Sequence, residues 1–297
     1  MAVALVFPGQ GSQRPGMGAP WRGTPGWALV ERASAAADRD LEHLLLHADA
    51  DELKATRAAQ VATFLTSLVA HEELRAARPD LEVRVVAGHS LGEVTALVVA
   101  GVLSPSDGLH LVVERGEAMQ AAADERPGTM AAVLGLEDGD VDRVLAGADG
   151  AWPANHNAPA HVVVSGTPDG VARAGEALKA AGARRVLPLP VGGAFHTPLM
   201  EPARARLDKA LRTVAWCDPI TEVLSAVTAA PYERDWPDLL SRQLTAPVRW
   251  RQTVEALDGV DTVVEVGPGG VLTGLVKRIR PDLRAVSVAS PDDLSGL

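Results

Sequence analysis

The chain of 297 residues contains a single cysteine, Cys217. One cysteine cannot form an internal disulfide bond, and no CxxC pair is present to suggest a metal site. Long apolar runs are also missing, since the longest stretches, such as VTALVVAGVL (94–103), are too short to span a bilayer. The first ten residues, MAVALVFPGQ, have no basic region and include both proline and glycine. We therefore expect no signal peptide, no membrane segment and a cytoplasmic location.

Positive charge is scarce relative to negative charge. Lys and Arg number 28 against 38 Asp and Glu, which gives a net charge of −10. A generally acidic surface argues against nucleic acid as the main ligand. An acidic protein partner would need a local basic patch. The content of 47% hydrophobic and 22% charged residues is typical of a globular protein with one large or two smaller cores.

Short apolar strands alternate with helical patterns along most of the chain. The strands lack strict alternation of apolar and polar residues, which suits strands that are buried on both faces. Helices are predicted at 60–77 and at 104–123, the second with Ser104 as its N-cap. This alternation predicts an α/β domain with a largely parallel sheet. The predicted strands are VALVF (3–7), VRVVAG (83–88), ITEVLSAV (220–227), TVVEVG (262–267) and AVSVAS (285–290).

The segment 127–191 has a different element order. Its pattern is strand, helix, two strands, helix and strand, which is the ferredoxin-like arrangement. We therefore predict a large α/β domain over 1–126 and 192–297, into which a small ferredoxin-like domain over 127–191 is inserted. The small domain's elements are predicted at 130–136, 140–147, a strand-like run, 161–166, 170–182 and 184–191.

The stretch GHSLG (88–92) fits the G-x-S-x-G pattern of a nucleophile elbow. Such a turn is sharp and strained, and it leaves no room for side chains at the glycines. The hydroxyl of Ser90 would then stand at a helix N-terminus, where free N–H groups stabilise developing negative charge. Ser90 could instead be only a polar residue that begins a buried helix. The apolar strand before it and the apolar helix after it favour the nucleophile.

Serine is a weak nucleophile without a base, and His196 is the best placed of the eight histidines. It follows the small domain, where the chain re-enters the large one, and a cleft forms at such a junction. His43 and His47 have i,i+4 spacing, but no third ligand motif accompanies them, so we expect a solvated helix face and no metal. A conventional α/β-hydrolase carries its histidine near the C-terminus after an acid. Here about 100 residues follow His196, and no acidic partner is evident.

Two further features allow two interpretations each. Arg115, in the middle of a helix, could lie on the surface with its stem along an apolar face. It could also be a cleft guanidinium that binds a carboxylate through two parallel hydrogen bonds.

FPGQGSQ (7–13) is not a dinucleotide fingerprint, because Arg14 replaces the third glycine. It is either a plain turn or a close backbone approach to a site at the carboxyl end of the sheet. At VEVGPGGVLTGL (264–275) we favour a structural corner.

Eight stretches together resemble one family, the malonyl-CoA:acyl carrier protein transacylases and the related acyltransferase domains of polyketide synthases. They follow the family's order over nearly the whole chain. Two stretches depart from the family's pattern, QVAT (60–63) in place of Q-P-A-L and SAV (225–227) in place of S-N-V, and they bear on the shape of the cleft and on the acyl group. The matching stretches are FPGQGSQ (7–13), GHSLGE (88–93), RGEAMQ (115–120), GTMAAVLGL (128–136), NHNAP (155–159), GAFHTPLM (193–200), RQLTAPVRW (242–250) and EVGPGGVLTGLVKR (265–278).

The resemblance implies an α/β-hydrolase-like core with an inserted ferredoxin-like domain, and it implies roles for the catalytic residues. Ser90 would be the nucleophile and His196 the base. The backbone N–H groups of Gln10 and Leu91 would form the oxyanion hole. The main-chain carbonyl of Gln243 would replace the acid of a catalytic triad, so that the catalytic unit is a serine–histidine dyad.

The resemblance also implies the substrate. Arg115 would bind the free carboxylate of a malonyl group, so the site would reject simple acyl chains. Leu91, after the serine, and Phe195, before the histidine, resemble the malonyl-selecting version of the family. The implied reaction is ping-pong transfer of a malonyl group from malonyl-CoA through a serine ester, with no bound cofactor. The remaining implied pocket residues are His89, Met119, Asn157 and Phe195.

The implied partners are a phosphopantetheinylated acyl carrier protein and a coenzyme A thioester. Nucleic acid and membrane are not expected as partners, and we expect a monomer. Fatty acid and polyketide synthesis both fit. Three alternatives stay open, namely an acyl hydrolase that clears acyl groups from carriers, a transferase for another extender unit, and a non-catalytic carrier-binding module. A basic patch for the carrier is hypothesised at Lys179, Arg184 and Arg185 on the small domain, with Lys277 and Arg278 opposite.

Overall fold

The computed structural model describes residues 2–297. Within that range the strands are β1 (Ala2–Phe7), β2 (Glu82–Gly88), β3 (Thr129–Leu134), β4 (Ala151–Ala158), β5 (His161–Gly166), β6 (Arg185–Pro188), β7 (Glu222–Leu224), β8 (Thr262–Val266) and β9 (Arg284–Val288). The helices are α1 (Ala28–Ala37), α2 (Leu41–Leu46), α3 (Thr56–Ala77), α4 (Gly92–Val99), α5 (Pro105–Glu125), α6 (Asp138–Leu145), α7 (Pro168–Ala180), α8 (Glu201–Leu211), α9 (Trp236–Gln243), α10 (Trp250–Glu255) and α11 (Val271–Ile279). Short 3₁₀ helices lie at Ala19–Trp21, Pro25–Trp27, Glu52–Lys54, Pro198–Met200 and Pro291–Gly296.

The main sheet has five parallel strands in the order β7-β2-β1-β8-β9. Alternate residues of the central strand β1 enter two different cores, because successive side chains of a strand point to opposite faces. Leu5 packs in the larger core, which contains residues of α3, α4 and α5. Ala4 and Val6 pack in a second core with residues of α10 and α11. A parallel sheet covered by helices on both faces confirms the predicted α/β class.

The strand predicted at 220–227 is shorter in the structure, where only Glu222–Leu224 pairs with β2. This strand lies at the edge of the sheet and has one parallel neighbour. Beyond it the chain turns, since the hydroxyl of Ser225 accepts the N–H of Val227 and the N–H of Ala229 donates to the carbonyl of Ser225. An apolar run therefore predicted the strand but overestimated its length.

The second sheet is antiparallel, with its strands in the order β4-β5-β3-β6. Helices α6 and α7 complete the β-α-β-β-α-β sequence that the chain predicts. This unit has its own apolar core, which includes Val133, Val162 and Leu178. We propose domain boundaries on either side of it, at 126/127 and at 191/192.

Helix starts differ in how well the sequence marks them. Helix α5 begins as predicted, with the hydroxyl of Ser104 accepting the N–H of Asp107 at 3.0 Å. Helix α3 begins at Thr56, four residues before the predicted start. Its first N–H has a partner from a distant segment, because the side-chain oxygen of Gln120 accepts the N–H of Thr56 at 3.0 Å. A cap supplied from another helix leaves no local signal.

Candidate active site

Ser90 lies on a sharp turn between β2 and α4, at the carboxyl edge of the main sheet. Its φ of 53° is in the left-handed region, which a residue with a side chain adopts at a cost. The flanking glycines are required by space. A Cβ on Gly88 would overlap the backbone of Gly92, and a Cβ on Gly92 would overlap the carbonyl of Phe7. The strand, the strained serine and the helix are the context that a nucleophile elbow needs.

The imidazole of His196 contacts the hydroxyl of Ser90. The two residues are far apart in the sequence, yet the distance from Ser90 Oγ to His196 Nε2 is 2.9 Å, and both side chains are buried. His196 Nδ1 lies 2.8 Å from the main-chain carbonyl oxygen of Gln243, the last residue of α9. A carbonyl can only accept, so Nδ1 carries the proton and Nε2 is left to accept the proton of Ser90.

Burial and a neighbouring cation keep His196 neutral. Desolvation, followed by the positive charge of Arg115, lowers the pKa of His196 to about 3. The hydrogen bond to the carbonyl of Gln243 acts in the opposite direction and favours the charged form. At neutral pH the imidazole is therefore free to accept a proton.

Arg115 is not a surface residue, since it is only 2% exposed and lies beside Ser90. Its Nη1 donates to the side-chain oxygen of Gln60 at 2.8 Å. Its Nη2 donates to Ser90 Oγ at 3.0 Å and to the side-chain oxygen of Gln243 at 2.9 Å. Burial lowers the pKa of Arg115 to about 10, which leaves it charged at neutral pH. The Nε–H has no partner within residues 2–297, so the guanidinium keeps unused donor capacity.

The loop after β1 approaches the elbow backbone to backbone. A Cβ on Gly9 would overlap the carbonyl of His89, so only glycine fits there. This contact favours the functional interpretation of FPGQGSQ over a plain turn. In the part of the chain that is described, the N–H groups of Gln10 and Leu91 donate to no protein acceptor. Both are therefore available to a ligand oxygen.

Of the other predicted pocket residues, Met119, Asn157 and Phe195 are buried and His89 is partly exposed. His89 Nε2 lies 3.0 Å from the side-chain oxygen of Asn157, which joins the elbow to β4 of the small sheet. Met119 lies one turn after Arg115, and its sulfur accepts from Gln60 at 3.1 Å. Phe195 directly precedes His196 and packs in the larger core.

Sequence reasoning missed two buried residues next to the site. Gln60 binds Arg115, and Glu93 binds the amide of Gln243. Both lie inside stretches that resemble the family, Gln60 at the start of QVAT and Glu93 at the end of GHSLGE. A buried position for a polar residue on an otherwise apolar helix is the signal that could have found them.

The residues that we interpreted as structural are not among the side chains that contact Ser90. His43 and His47 are exposed, and among residues 2–297 no cluster of three or more His, Cys, Asp or Glu side chains could hold a metal ion. The corner at 264–275 is held by Glu265, whose carboxylate accepts the N–H of Thr273 at the start of α11. No helix in the described range is long and apolar enough to cross a bilayer.

Two residues of the hypothesised basic patch, Arg185 and Arg278, lie at one end of the small sheet. Arg278 donates to the carbonyl of Pro159 at 2.9 Å, in the turn between β4 and β5. His161 and Arg185 both pair with Leu134 of β3, one on each side, so Arg278 and Arg185 lie at the same end of the small sheet. The five basic residues of the hypothesised patch are exposed.

A serine on a strand–turn–helix elbow, in contact with a neutral imidazole, defines the class of proteins that form a covalent ester through serine. A sequence profile described as the acyl transferase domain matches residues 4–290. The chain belongs to the acyl transferase domain family.

Individual relatives agree with this assignment. The chain is 42% identical over 306 residues to the malonyl CoA-acyl carrier protein transacylase of Salmonella typhimurium, covering 98% of this chain and 97% of that protein. Its structure is similar to the malonyl-CoA:acyl carrier protein transacylase of Xanthomonas oryzae pv. oryzae, with a TM-score of 0.94 and 40% identity over 99% of this chain and 96% of that chain. A further similar structure holds a malonyl-transacylase in complex with a type II PKS acyl-carrier protein, with a TM-score of 0.94 and 37% identity over 99% of this chain and 98% of that chain.

Proposed function

We propose that this protein is an acyltransferase that moves a malonyl group from coenzyme A to the phosphopantetheine thiol of an acyl carrier protein. One observation carries the proposal: the hydroxyl of Ser90 is in hydrogen-bond contact with both His196 Nε2 and the buried guanidinium of Arg115. A nucleophile, a base and a carboxylate-binding group thus converge on one oxygen atom. The names of the relatives support the same substrate and acceptor.

In the first half-reaction His196 Nε2 takes the proton of Ser90, and Ser90 Oγ attacks the thioester carbonyl. The N–H groups of Gln10 and Leu91 bind the oxyanion, and each such donor is worth about 3 kcal/mol in comparable sites. The carbon–sulfur bond then breaks, and the imidazolium returns its proton to the departing coenzyme A thiolate. The product is a malonyl ester on Ser90.

In the second half-reaction the carrier's phosphopantetheine thiol gives its proton to His196 and attacks the ester. The carbon–oxygen bond breaks, the malonyl group leaves on sulfur, and Ser90 regains a proton from the imidazolium. The two steps are chemically alike, so one base serves both. The carbonyl of Gln243 stabilises the imidazolium that forms in each step. This chemistry uses only protein groups and the two thiols, with no bound cofactor.

Arg115 would select a dicarboxylic acyl group. A buried guanidinium that lacks an anionic partner leaves charged donors unpaired, and a half-made pair of this kind costs about 2–5 kcal/mol. The departures from the family pattern leave this arrangement in place. Gln60 still binds Arg115, and Ala226 supplies a main-chain N–H to Glu93 from behind the elbow. These contacts support malonyl as the acyl group.

The partner, the cellular location and the oligomeric state also remain proposals. We propose that the basic rim formed by Lys179, Arg184, Arg185, Lys277 and Arg278 docks the carrier. A cytoplasmic location and a monomeric state stay predictions from the sequence, as does service in fatty acid or polyketide synthesis.

Intact-mass measurement after exposure to a panel of acyl-CoAs tests the proposal. We expect stable addition of one malonyl group to the wild-type protein, no addition to Ser90→Ala, and passage of the label to a phosphopantetheinylated carrier. Absence of any serine ester would contradict the proposal and favour a non-catalytic carrier-binding module. Rapid turnover of acetyl-CoA without a stable ester would instead indicate an acyl hydrolase.

A further inference from the structure

A carboxylate that the reaction does not use lies directly behind the elbow. Glu93, in the first turn of α4, is the third residue after Ser90 and is 0% exposed. A buried carboxylate is costly unless its oxygens accept hydrogen bonds. One oxygen of Glu93 accepts the N–H of Ala226 at 3.1 Å and the hydroxyl of Tyr232 at 2.5 Å. The other oxygen accepts the side-chain amide of Gln243.

The amide of Gln243 has only one orientation that satisfies its neighbours. Its Nε2 donates to Glu93 and, at 3.0 Å, to the main-chain carbonyl of Ser90, and neither acceptor can donate in return. Its oxygen accepts from Nη2 of Arg115 at 2.9 Å. A reversed amide would direct N–H groups at the guanidinium and an oxygen at the carboxylate. Both contacts would then be repulsive.

We propose that Glu93 is a positioning residue that sets the preference for dicarboxylic acyl groups, because it orients the Gln243 amide and the amide in turn orients Arg115. This inference rests on the proposed function. The negative charge of Glu93 is also the counter-charge of the buried guanidinium, reached through a single amide group. Gln243 thereby links the acyl-binding guanidinium to His196, which its main-chain carbonyl orients.

The electrostatics agree with this arrangement. Burial lowers the pKa of Arg115, and the charge of Glu93 acts against that decrease. Burial raises the pKa of Glu93, while its hydrogen bonds from Tyr232 and Gln243 act to lower it. The charge of Glu93 therefore favours the charged form of Arg115.

Four proteins test the relay: the wild type, Glu93→Gln, Gln243→Met and the double variant. The readout is the ratio of kcat/KM for serine acylation by a dicarboxylic acyl-CoA to that by acetyl-CoA, measured with the dicarboxylic thioester that reacts best. An amide at position 93 cannot accept at both ends, so we expect Glu93→Gln to lower this ratio by about tenfold or more. Gln243→Met keeps its main-chain carbonyl for His196, and its ratio should fall similarly.

If Glu93 acts through Gln243, the two effects are not additive. We expect Glu93→Gln to change the ratio by less than about twofold in the Gln243→Met background. Tyr232→Phe is the matched control, since it removes a donor from the other carboxylate oxygen and should keep the ratio. A merely structural role would lower both acylation rates together and leave their ratio unchanged.

Several results would overturn the proposal. The first is an unchanged ratio in Glu93→Gln or in Gln243→Met. The second is a loss of the ratio on Glu93→Gln that is equal in the wild-type and Gln243→Met backgrounds. The third is a loss of the ratio in Tyr232→Phe as large as that in Glu93→Gln. If Glu93→Gln does not fold, Glu93→Asp, which withdraws the carboxylate by one methylene, takes its place. Urea unfolding of the same four proteins needs no substrate. If the changes in the free energy of unfolding are additive, Glu93 and Gln243 do not interact, and the proposal is overturned. A wild type that no thioester acylates would by itself reject only the proposed function.

Discussion

At the scale of single residues, Gln243 has two separate functions in the site. Its main-chain carbonyl accepts from His196, and its side-chain oxygen accepts from Arg115. In the proposed mechanism a backbone carbonyl can serve in place of an acid, because the histidine needs orientation and only partial stabilisation of its charge. This arrangement explains why the sequence offered no acidic partner for His196.

Arg115→Ala should exchange one acyl preference for another. Without the guanidinium we expect malonylation of Ser90 to fall about 100-fold or more, because a charged partner is lost. Acetyl or longer neutral acyl groups should be accepted instead. Intact-mass kinetics with a panel of acyl-CoAs measure both effects. Glu114→Ala on the same helix, which removes only a surface ion pair with Arg206, is the control. An unchanged preference in Arg115→Ala would refute the role of this residue.

The rate of acylation should not fall at about pH 6.5, where protonation of an ordinary histidine would lower it. His196 acts as a base only when neutral, and its pKa is lowered to about 3, against an ordinary value of about 6.5. Protonation therefore begins only at strongly acidic pH. Single-turnover malonylation should stay nearly constant from about pH 8 down to about pH 5. A tenfold decrease between pH 7 and pH 5.5 would show that the imidazole is more basic than the structure indicates.

The residues of the site could be predicted from the sequence to different degrees. Ser90 has a local signature, because its glycines and flanking apolar runs are contiguous. His196 was recognised only by its place after the small domain and by resemblance. Gln60 and Glu93 escaped notice, since their importance comes from contacts with residues distant in the chain. The sequence did not show whether Arg115 is exposed or buried, because helical spacing alone does not show which face of the helix is buried.

At the scale of elements, the elbow depends on close backbone contact between β1, β2 and α4. Gly92→Ala would place a methyl group against the carbonyl of Phe7, in the central strand. We expect a loss of several kcal/mol of stability or failure to fold, because backbone cannot move aside as a side chain can. Urea unfolding followed by circular dichroism measures the change.

Gly274→Ala is the matched control for that substitution. Gly274 lies inside α11, and a Cβ there meets nothing within 4 Å. Alanine is the better helix former, so we expect a gain of about 0.5–1 kcal/mol. If Gly92→Ala and Gly274→Ala destabilised the protein equally, steric overlap at the elbow would not be the cause.

At the scale of the whole molecule, the contact between Ser90 and His196 lies beside a contact between the elbow and the small sheet. Asn155 of the small sheet bridges to Val248, and His89 of the elbow contacts Asn157 of β4. The small sheet therefore contacts the elbow that carries Ser90. The turn between β4 and β5, which comes just after Asn157 in the chain, also contacts Arg278 of the basic rim.

Charge reversal on the basic rim should separate the two half-reactions. In Lys277→Glu/Arg278→Glu we expect malonylation by malonyl-CoA to change by less than about threefold. Transfer to the carrier should fall about tenfold or more at low salt, and its salt dependence should weaken, because surface charge acts mainly on encounter. Quenched time-course assays at several salt concentrations measure the rate of malonyl transfer to the carrier.

Arg212→Glu controls for the change in net charge, since Arg212 is exposed at the end of α8, outside the rim. It should leave both steps unchanged. Equal loss of the coenzyme A and carrier steps in the rim variant would count against a docking surface there.

The sequence by itself determined the alternation of apolar strands with helices and the elbow at Ser90, because period, caps and glycine placement are local properties of a chain. It also predicted the inserted β-α-β-β-α-β unit from element order alone. Only the tertiary structure decided that Arg115 is buried, that Gln243 joins it to His196, and that Glu93 lies behind both. Hydrogen bonds between groups more than a hundred residues apart follow from how the elements pack, and packing is not written in any single segment.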